Sequence, residues 1–228
     1  MKIGENATGF IKAAAGSPRV HPGEPMKNAA EICSVIDQAE ALKADVLVLP
    51  ELVLSGYTAA DLFLRAPLLE GVLTALECIK DHLKRPESEG LIVVLGAPIR
   101  ADGRLFNCAV FLQNGRVLGI VPKSHLPNYQ EFYEARWFSP ASEAVSSTLE
   151  LLGDTVPFGT DLIFESASGL AIAAEICEDL WVAQPPATAA AAAGANVIVN
   201  LSASNETAGK AKFRRELVRL QSARSMCA

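Results

Sequence analysis

Three side chains stand directly after apolar runs, and together they could cleave an amide. Glu51 follows VLVLP, Lys123 follows VLGIVP and Cys177 follows LAIAAEI. Catalytic groups of open α/β sheets gather beyond the carboxyl ends of strands, so three elements far apart in sequence can meet at one edge. A cysteine thiolate attacks an amide carbonyl, ammonia leaves, and water hydrolyses the resulting thioester. Glu51 can take the thiol proton and later hand it to the leaving amine, provided that it sits in a desolvated pocket. Lys123 supplies a fixed positive charge for the thiolate and the tetrahedral oxyanion, with the backbone N–H after Cys177 as a second donor. Each residue also has an ordinary reading, since a lone Cys after an apolar run usually fills a core. That reading is kept for Cys33, Cys78, Cys108 and Cys227.

Other chemistries find less support. His21, His82 and His125 are the only histidines, and none has metal-ligand spacing, so no metal site is expected. His125 lies two residues from Lys123, which leaves a Cys–His hydrolase open. Neither a G-x-S-x-G elbow nor a phosphate-binding P-loop occurs. The five cysteines are scattered without a C-x-x-C pair, which reads as reduced thiols in a cytoplasmic protein. A formal charge of −6 argues against nucleic acid or an anionic membrane as partner. The N-terminal segment lacks the apolar core of a signal peptide, and no run is long enough to span a bilayer.

The elements that must position the three residues follow from hydrophobic spacing. Residues 9–16 read as a buried strand, and Pro25 opens a helix with Ala29, Ile32, Cys33, Ile36 and Ala39 at helical intervals. ADVLVLP reads as a strand covered on both faces, and a second helix starts at Pro67. LIVVLGAPI, LFNCAVFLQ and RVLGIVP are successive strands, with Asp102-Gly103 and Asn114-Gly115 as hairpin turns. Residues 124–160 read as a long loop with one short helix. DLIFES and GLAIAAEIC are strands around a turn at Ser168-Gly169. Pro185-Pro186 start an Ala-rich helix that stops at Gly194, ANVIVNLSA is a further buried strand, and the last helix carries Phe213, Leu217 and Leu220 on one face. The pattern predicts one α/β domain with helices layered around sheets.

The segments LPELVLSGYTAADLF, VPKSHLPNYQEFYEARWF, EICEDLWVAQPP and NLSASNETAGKAKFRR resemble the glutaminase segment of bacterial glutamine-dependent NAD+ synthetases, a branch of the nitrilase superfamily. The resemblance runs from about residue 10 to the end. It implies an α-β-β-α sandwich in which Glu51 is the proton acceptor, Lys123 the oxyanion-stabilising lysine and Cys177 the nucleophile. It further implies that glutamine is bound by Tyr129, Ser204 and Lys210. A positive Lys210 at a helix start suits the α-carboxylate of a free amino acid. A second glutamate near the triad is expected at Glu134, with Glu131 as runner-up. Tyr57 and Phe132 are candidate pocket walls, and Glu178 and Asp179 are expected to orient neighbours.

In the family, ammonia passes to an ATP-dependent synthetase domain that amidates nicotinic acid adenine dinucleotide. No S-G-G-x-D-S pyrophosphate motif is present in this sequence. Residues 1–228 are therefore expected to be one incomplete glutaminase domain, truncated at its C-terminal end, with an open sheet edge and exposed apolar surface. ATP and Mg2+ are expected only in the missing synthetase domain. The partners implied are L-glutamine, that synthetase domain and further copies in a homo-oligomer. A free-standing amidase acting on another small amide, or an inactive interaction domain, are the alternatives.

Overall fold

The computed structural model describes residues 10–166 and 169–228. The first half builds a five-stranded sheet backed by two helices. Strand β1 (Ala13–Ala15) leads to helix α1 (Pro25–Ala41), then β2 (Val46–Val48), a 3₁₀ segment (Tyr57–Leu64) and helix α2 (Ala66–His82). Strands β3 (Ile92–Ala101), β4 (Arg104–Gln113) and β5 (Arg116–Pro122) complete the order β1-β2-β3-β4-β5. The first three strands pair in parallel, because a helix returns the chain between them. The last three pair antiparallel through the two predicted turns, whose residues Asp102, Gly103, Asn114 and Gly115 all have positive φ.

A two-stranded hairpin, β6 (Thr148–Leu151) and β7 (Asp154–Pro157), follows. A three-stranded sheet is then formed by β8 (Phe164–Glu165), β9 (Ala171–Ile176) and β10 (Val197–Leu201), with β9 central and helix α3 (Pro186–Ala192) connecting β9 to its parallel neighbour β10. Helix α4 (Lys210–Ser225) comes last. The two larger sheets face each other across a core of Val46, Ile92, Val94, Ala109, Phe111 and Val121 on one side and Leu170, Ile172, Ala174, Ile176, Val199 and Leu201 on the other. A second core packs α1 and α2 against the outer face of the first sheet. With α3 set against β9 and α4 against α3, the layers are the predicted α-β-β-α sandwich.

Several expectations need correction. The strand predicted at 9–16 shrinks to Ala13–Ala15, an edge strand with only Ala14 half-buried, and Gly9 lies outside the described residues, as does Ser168 of the predicted turn. Residues 124–160 hold two 3₁₀ turns and the β6–β7 hairpin rather than one short helix. Strand β10 is half-buried, because it too lies at a sheet edge. Helix α4 forms where the spacing sets Phe213, Leu217 and Leu220 on one face; none of its residues is fully buried, and Phe213 and Leu220 are exposed. Cys108 and Cys227 are buried and Cys33 is half-buried, but Cys78 is exposed and does not fill a core. Between edge strands β1 and β10 runs a groove of about 680 Å³ lined largely by apolar residues. Ala228 lies along the open edge of β10, donating to the Asn196 carbonyl and accepting from the Ile198 N–H at 2.9 Å each.

Candidate active site

Each of the three chemical residues sits just past a strand of the sandwich. Lys123 directly follows β5, Cys177 directly follows β9, and Glu51 opens the turn that comes two residues after β2. The Glu51 backbone crosses β3 at Gly96, where an added Cβ would stand 2.7 Å from the Glu51 carbonyl carbon and 2.6 Å from the Pro50 oxygen. Only glycine permits that approach. Cys177 has a φ of 46°, in the left-handed region that non-glycine residues avoid. Such a conformation costs on the order of 1–3 kcal/mol and persists where the surrounding fold holds it.

Lys123 is wholly buried between two carboxylates. Its ammonium donates to Glu51 Oε1 at 2.6 Å and to both oxygens of Glu134 at 2.8 and 2.9 Å. Glu51 Oε1 also accepts from Asn107 Nδ2 at 2.8 Å, and Oε2 accepts from the Ala203 N–H at 2.9 Å. Tyr57 donates its hydroxyl to Glu134 Oε1 at 2.8 Å. Burial by itself would depress the Lys123 ammonium, but Glu51 and Glu134 overcome that and hold it above the usual lysine value. Burial pushes Glu134 above the usual carboxylate range, against the pull of Lys123.

Cys177 is buried, and its thiol is pushed up to about 12 by burial and by the Glu51 charge, with Lys123 pulling the other way. Ser202 Oγ lies 3.4 Å from its sulfur. The resting nucleophile is therefore a thiol. The thiol shares this buried site with the Lys123 ammonium and the Glu51 and Glu134 carboxyl groups. Ionising the thiol into bulk water would add a negative charge to the site, whereas moving the proton to Glu51 leaves the charge unchanged. An uncompensated extra charge in a desolvated site is strongly disfavoured.

Cys177 opens into a cleft of about 270 Å³ that also contains Tyr129, Phe132, Glu178, Trp181, Ser204 and Lys210. Tyr129 donates to the Glu178 carboxylate at 2.9 Å. Lys210 bonds to Asn205 Oδ1 and lies 5.2 Å from the Trp181 ring centroid. Four of the five residues expected to bind substrate thus share one cleft with the cysteine. Tyr57 is not among its lining residues. Its ring meets Phe132 edge-on at 6.4 Å while its hydroxyl serves Glu134. Of the two candidate glutamates, Glu134 contacts Lys123, and Glu131 is an exposed partner of Asn205.

Sequence reasoning passed over Asn107, which orients Glu51 through its side chain and accepts the Lys123 N–H on its carbonyl at 2.8 Å. Its signal was a polar residue within the apolar run LFNCAVFLQ. Trp181, Ser202 and Ala203 were also missed, although each lies beside a residue already singled out. Asp179 accepts from the N–H groups of Ile176 at 2.9 Å and His125 at 2.8 Å, joining the strand ends that carry Cys177 and Lys123. Among the described residues no group of three or more His, Cys, Asp or Glu side chains could hold a metal ion, and no helix is long and apolar enough to cross a membrane.

Residues 12–228 match the carbon-nitrogen hydrolase family. Over 225 residues the chain is 43% identical to a glutamine-dependent NAD(+) synthetase of Mycobacterium tuberculosis, covering 96% of this chain and 32% of that protein. A glutamine-dependent NAD(+) synthetase of Thermotoga maritima is 31% identical over 184 residues, covering 80% of this chain and 28% of the relative. The chain thus spans about a third of the length of these relatives. In three dimensions it resembles a glutamine-dependent NAD(+) synthetase from Cytophaga hutchinsonii, with a TM-score of 0.81, 30% identity and coverage of 95% of this chain and 34% of that one. An amidase from Nesterenkonia sp. shares the fold, with a TM-score of 0.73 at 18% identity over 95% of this chain and 73% of the amidase. With the match spanning nearly the whole sequence and the fold in agreement, the chain belongs to the carbon-nitrogen hydrolase family.

Proposed function

We propose that this chain is a glutaminase that hydrolyses L-glutamine to glutamate and ammonia through a thioester on Cys177. The Cys177 proton passes to Glu51 as sulfur attacks the side-chain amide carbon. The oxyanion that forms is met by the Lys123 ammonium and the Glu178 backbone N–H. The C–N bond then breaks, Glu51 returns its proton to the departing nitrogen, and ammonia leaves. Water, deprotonated by Glu51, attacks the thioester carbonyl, and the sulfur is expelled and reprotonated. Glu134 keeps Lys123 in place without touching the reacting atoms.

The choice of glutamine over simpler amides rests on one feature: the cleft beside Cys177 carries both a Lys210 ammonium and a Glu178 carboxylate. An amino-acid substrate presents an α-carboxylate and an α-ammonium that complement this pair, while an aliphatic amide presents neither. The ammonia is proposed to feed a synthetase domain that amidates nicotinic acid adenine dinucleotide at the expense of ATP, in a cytoplasmic homo-oligomer, with ATP and Mg2+ held outside these residues.

Ammonia release from glutamine and from acetamide or propionamide, measured in the presence of the synthetase partner, tests the assignment. Glutamine should be the better substrate, Cys177→Ala should abolish turnover, and Lys210→Ala should raise KM about tenfold, worth ~1.4 kcal/mol, with kcat little changed. Turnover of the aliphatic amides with none of glutamine would overturn it.

A further inference from the structure

Helices α1 and α2 run side by side in a regular register that can be followed from end to end. At one end Gly71 meets the Pro25 ring, its Cβ position 3.5 Å from the ring Cγ. Toward the other end His82 Nε2 lies 2.9 Å from Asp37 Oδ1, and Arg85 just beyond α2 bonds to Glu40 at 3.0 Å. The partner of each α1 residue is thus 45 or 46 positions further along the chain, and the two helices are parallel. One turn before the Asp37–His82 contact, the same register pairs Cys33 with Cys78. Residues four apart lie on one helix face, so the contact between 37 and 82 places 33 and 78 on the facing sides of the same seam, near enough for Cys78 to act on the Cys33 thiol.

The seam favours close approach. Gly71, Ala29 and Ala75 are small, and both alanines are fully buried. Helix axes about 8–10 Å apart, with Cα atoms at a radius of about 2.3 Å, set facing Cα atoms roughly 3.4–5.4 Å apart, and those off the line of closest approach somewhat further. A disulfide spans about 4.4–6.8 Å between Cα atoms. Cys78 is exposed while Cys33 is half-buried at the rim of the core, so a reagent from solvent reaches the first thiol and the second stands behind it.

We propose that Cys33 and Cys78 are a redox-modifiable pair, which low-molecular-weight disulfides convert to an interhelical cross-link. The Cys78 thiolate attacks one sulfur of the reagent, forming a mixed disulfide and expelling a thiolate. Cys33, losing its proton to solvent, then attacks Cys78 Sγ, forming the protein disulfide and expelling the second thiolate. The two cysteines are oxidised by two electrons, and the reagent is reduced to two thiols. Burial, with Cys78 and Asp37 adding to it, pushes the Cys33 thiol up to about 11, which makes Cys33 the resolving rather than the attacking group.

Incubating the intact chain in glutathione buffers of graded oxidised-to-reduced ratio, blocking remaining thiols with N-ethylmaleimide and mapping peptides without reduction tests the pair. The expected result is a linked peptide joining Cys33 to Cys78, rising with the oxidised fraction and abolished by dithiothreitol. Cys33→Ser should leave Cys78 as a glutathione adduct instead. The proposal is overturned if the unaltered chain gives only glutathione-capped Cys78 with maleimide on Cys33, or only Cys78 cross-links between chains.

Discussion

The Lys123 ammonium lies 2.6 Å from Glu51 Oε1, and neither side chain is exposed to solvent. The same ammonium serves Glu134, so one cation compensates two carboxylates. Removing it would strand both. Breaking a buried pair from one side typically costs about 3–5 kcal/mol. Lys123→Met is therefore expected to lose stability on that scale in urea unfolding, as well as all hydrolysis. Adding Glu134→Gln to Lys123→Met should recover part of the loss, because one stranded charge is gone. A single variant as stable as the unaltered protein would mean that the carboxylates do not depend on Lys123.

Glu51 plays opposing roles toward Cys177, raising its thiol as a neighbouring charge and accepting its proton during attack. Glu51→Gln separates the two. Without the negative charge the thiol should ionise at lower pH than its present value of about 12, and the pH profile of iodoacetamide alkylation should shift accordingly. Hydrolysis should nevertheless fall by about 10²–10⁴-fold, the usual worth of a positioned base. Retained hydrolysis would remove Glu51 from the proton path, and an unshifted alkylation profile would contradict its electrostatic hold on the thiol.

The parts of this molecule legible in the sequence are those with strong local signals. Asp102-Gly103 and Asn114-Gly115 announced their hairpins because both residues of such turns need positive φ. The β6–β7 hairpin turns at Leu152-Gly153 with the same positive φ values, but leucine gives no hint of them, and its four-residue strands are partly polar. Helix α4 shows where spacing stops being informative. Helical spacing shows that Phe213, Leu217 and Leu220 share a face, but coverage depends on what the rest of the fold places there. Phe213 stacks on Trp181 at 5.8 Å and still remains exposed. At the site, strand ends and residue types identified Glu51, Lys123 and Cys177 as a possible set. Asn107 escaped because its purpose exists only once β4 lies beside Glu51.

Glu175 offers a test outside the reacting set. It lies on β9, almost fully buried, accepting from Asn200 Nδ2 at 3.2 Å and from the Ala187 N–H at 3.3 Å. Burial outweighs those two donors and pushes its carboxyl from the ordinary 4.5 up to about 7. A folded value above the unfolded one favours the protonated acid, so its contribution to stability is complete below about 4.5 and is lost as pH rises through about 7. A shift of this size is worth about 3 kcal/mol. Glu175→Gln, which cannot ionise, should therefore be more stable than the unaltered protein at pH 8 by an amount of that order, with the difference shrinking toward zero near the unfolded value. Urea unfolding at the two pH values measures this directly. An equal difference at both would show that Glu175 ionises in the fold as readily as in the unfolded chain, and that its two hydrogen bonds fully offset its burial.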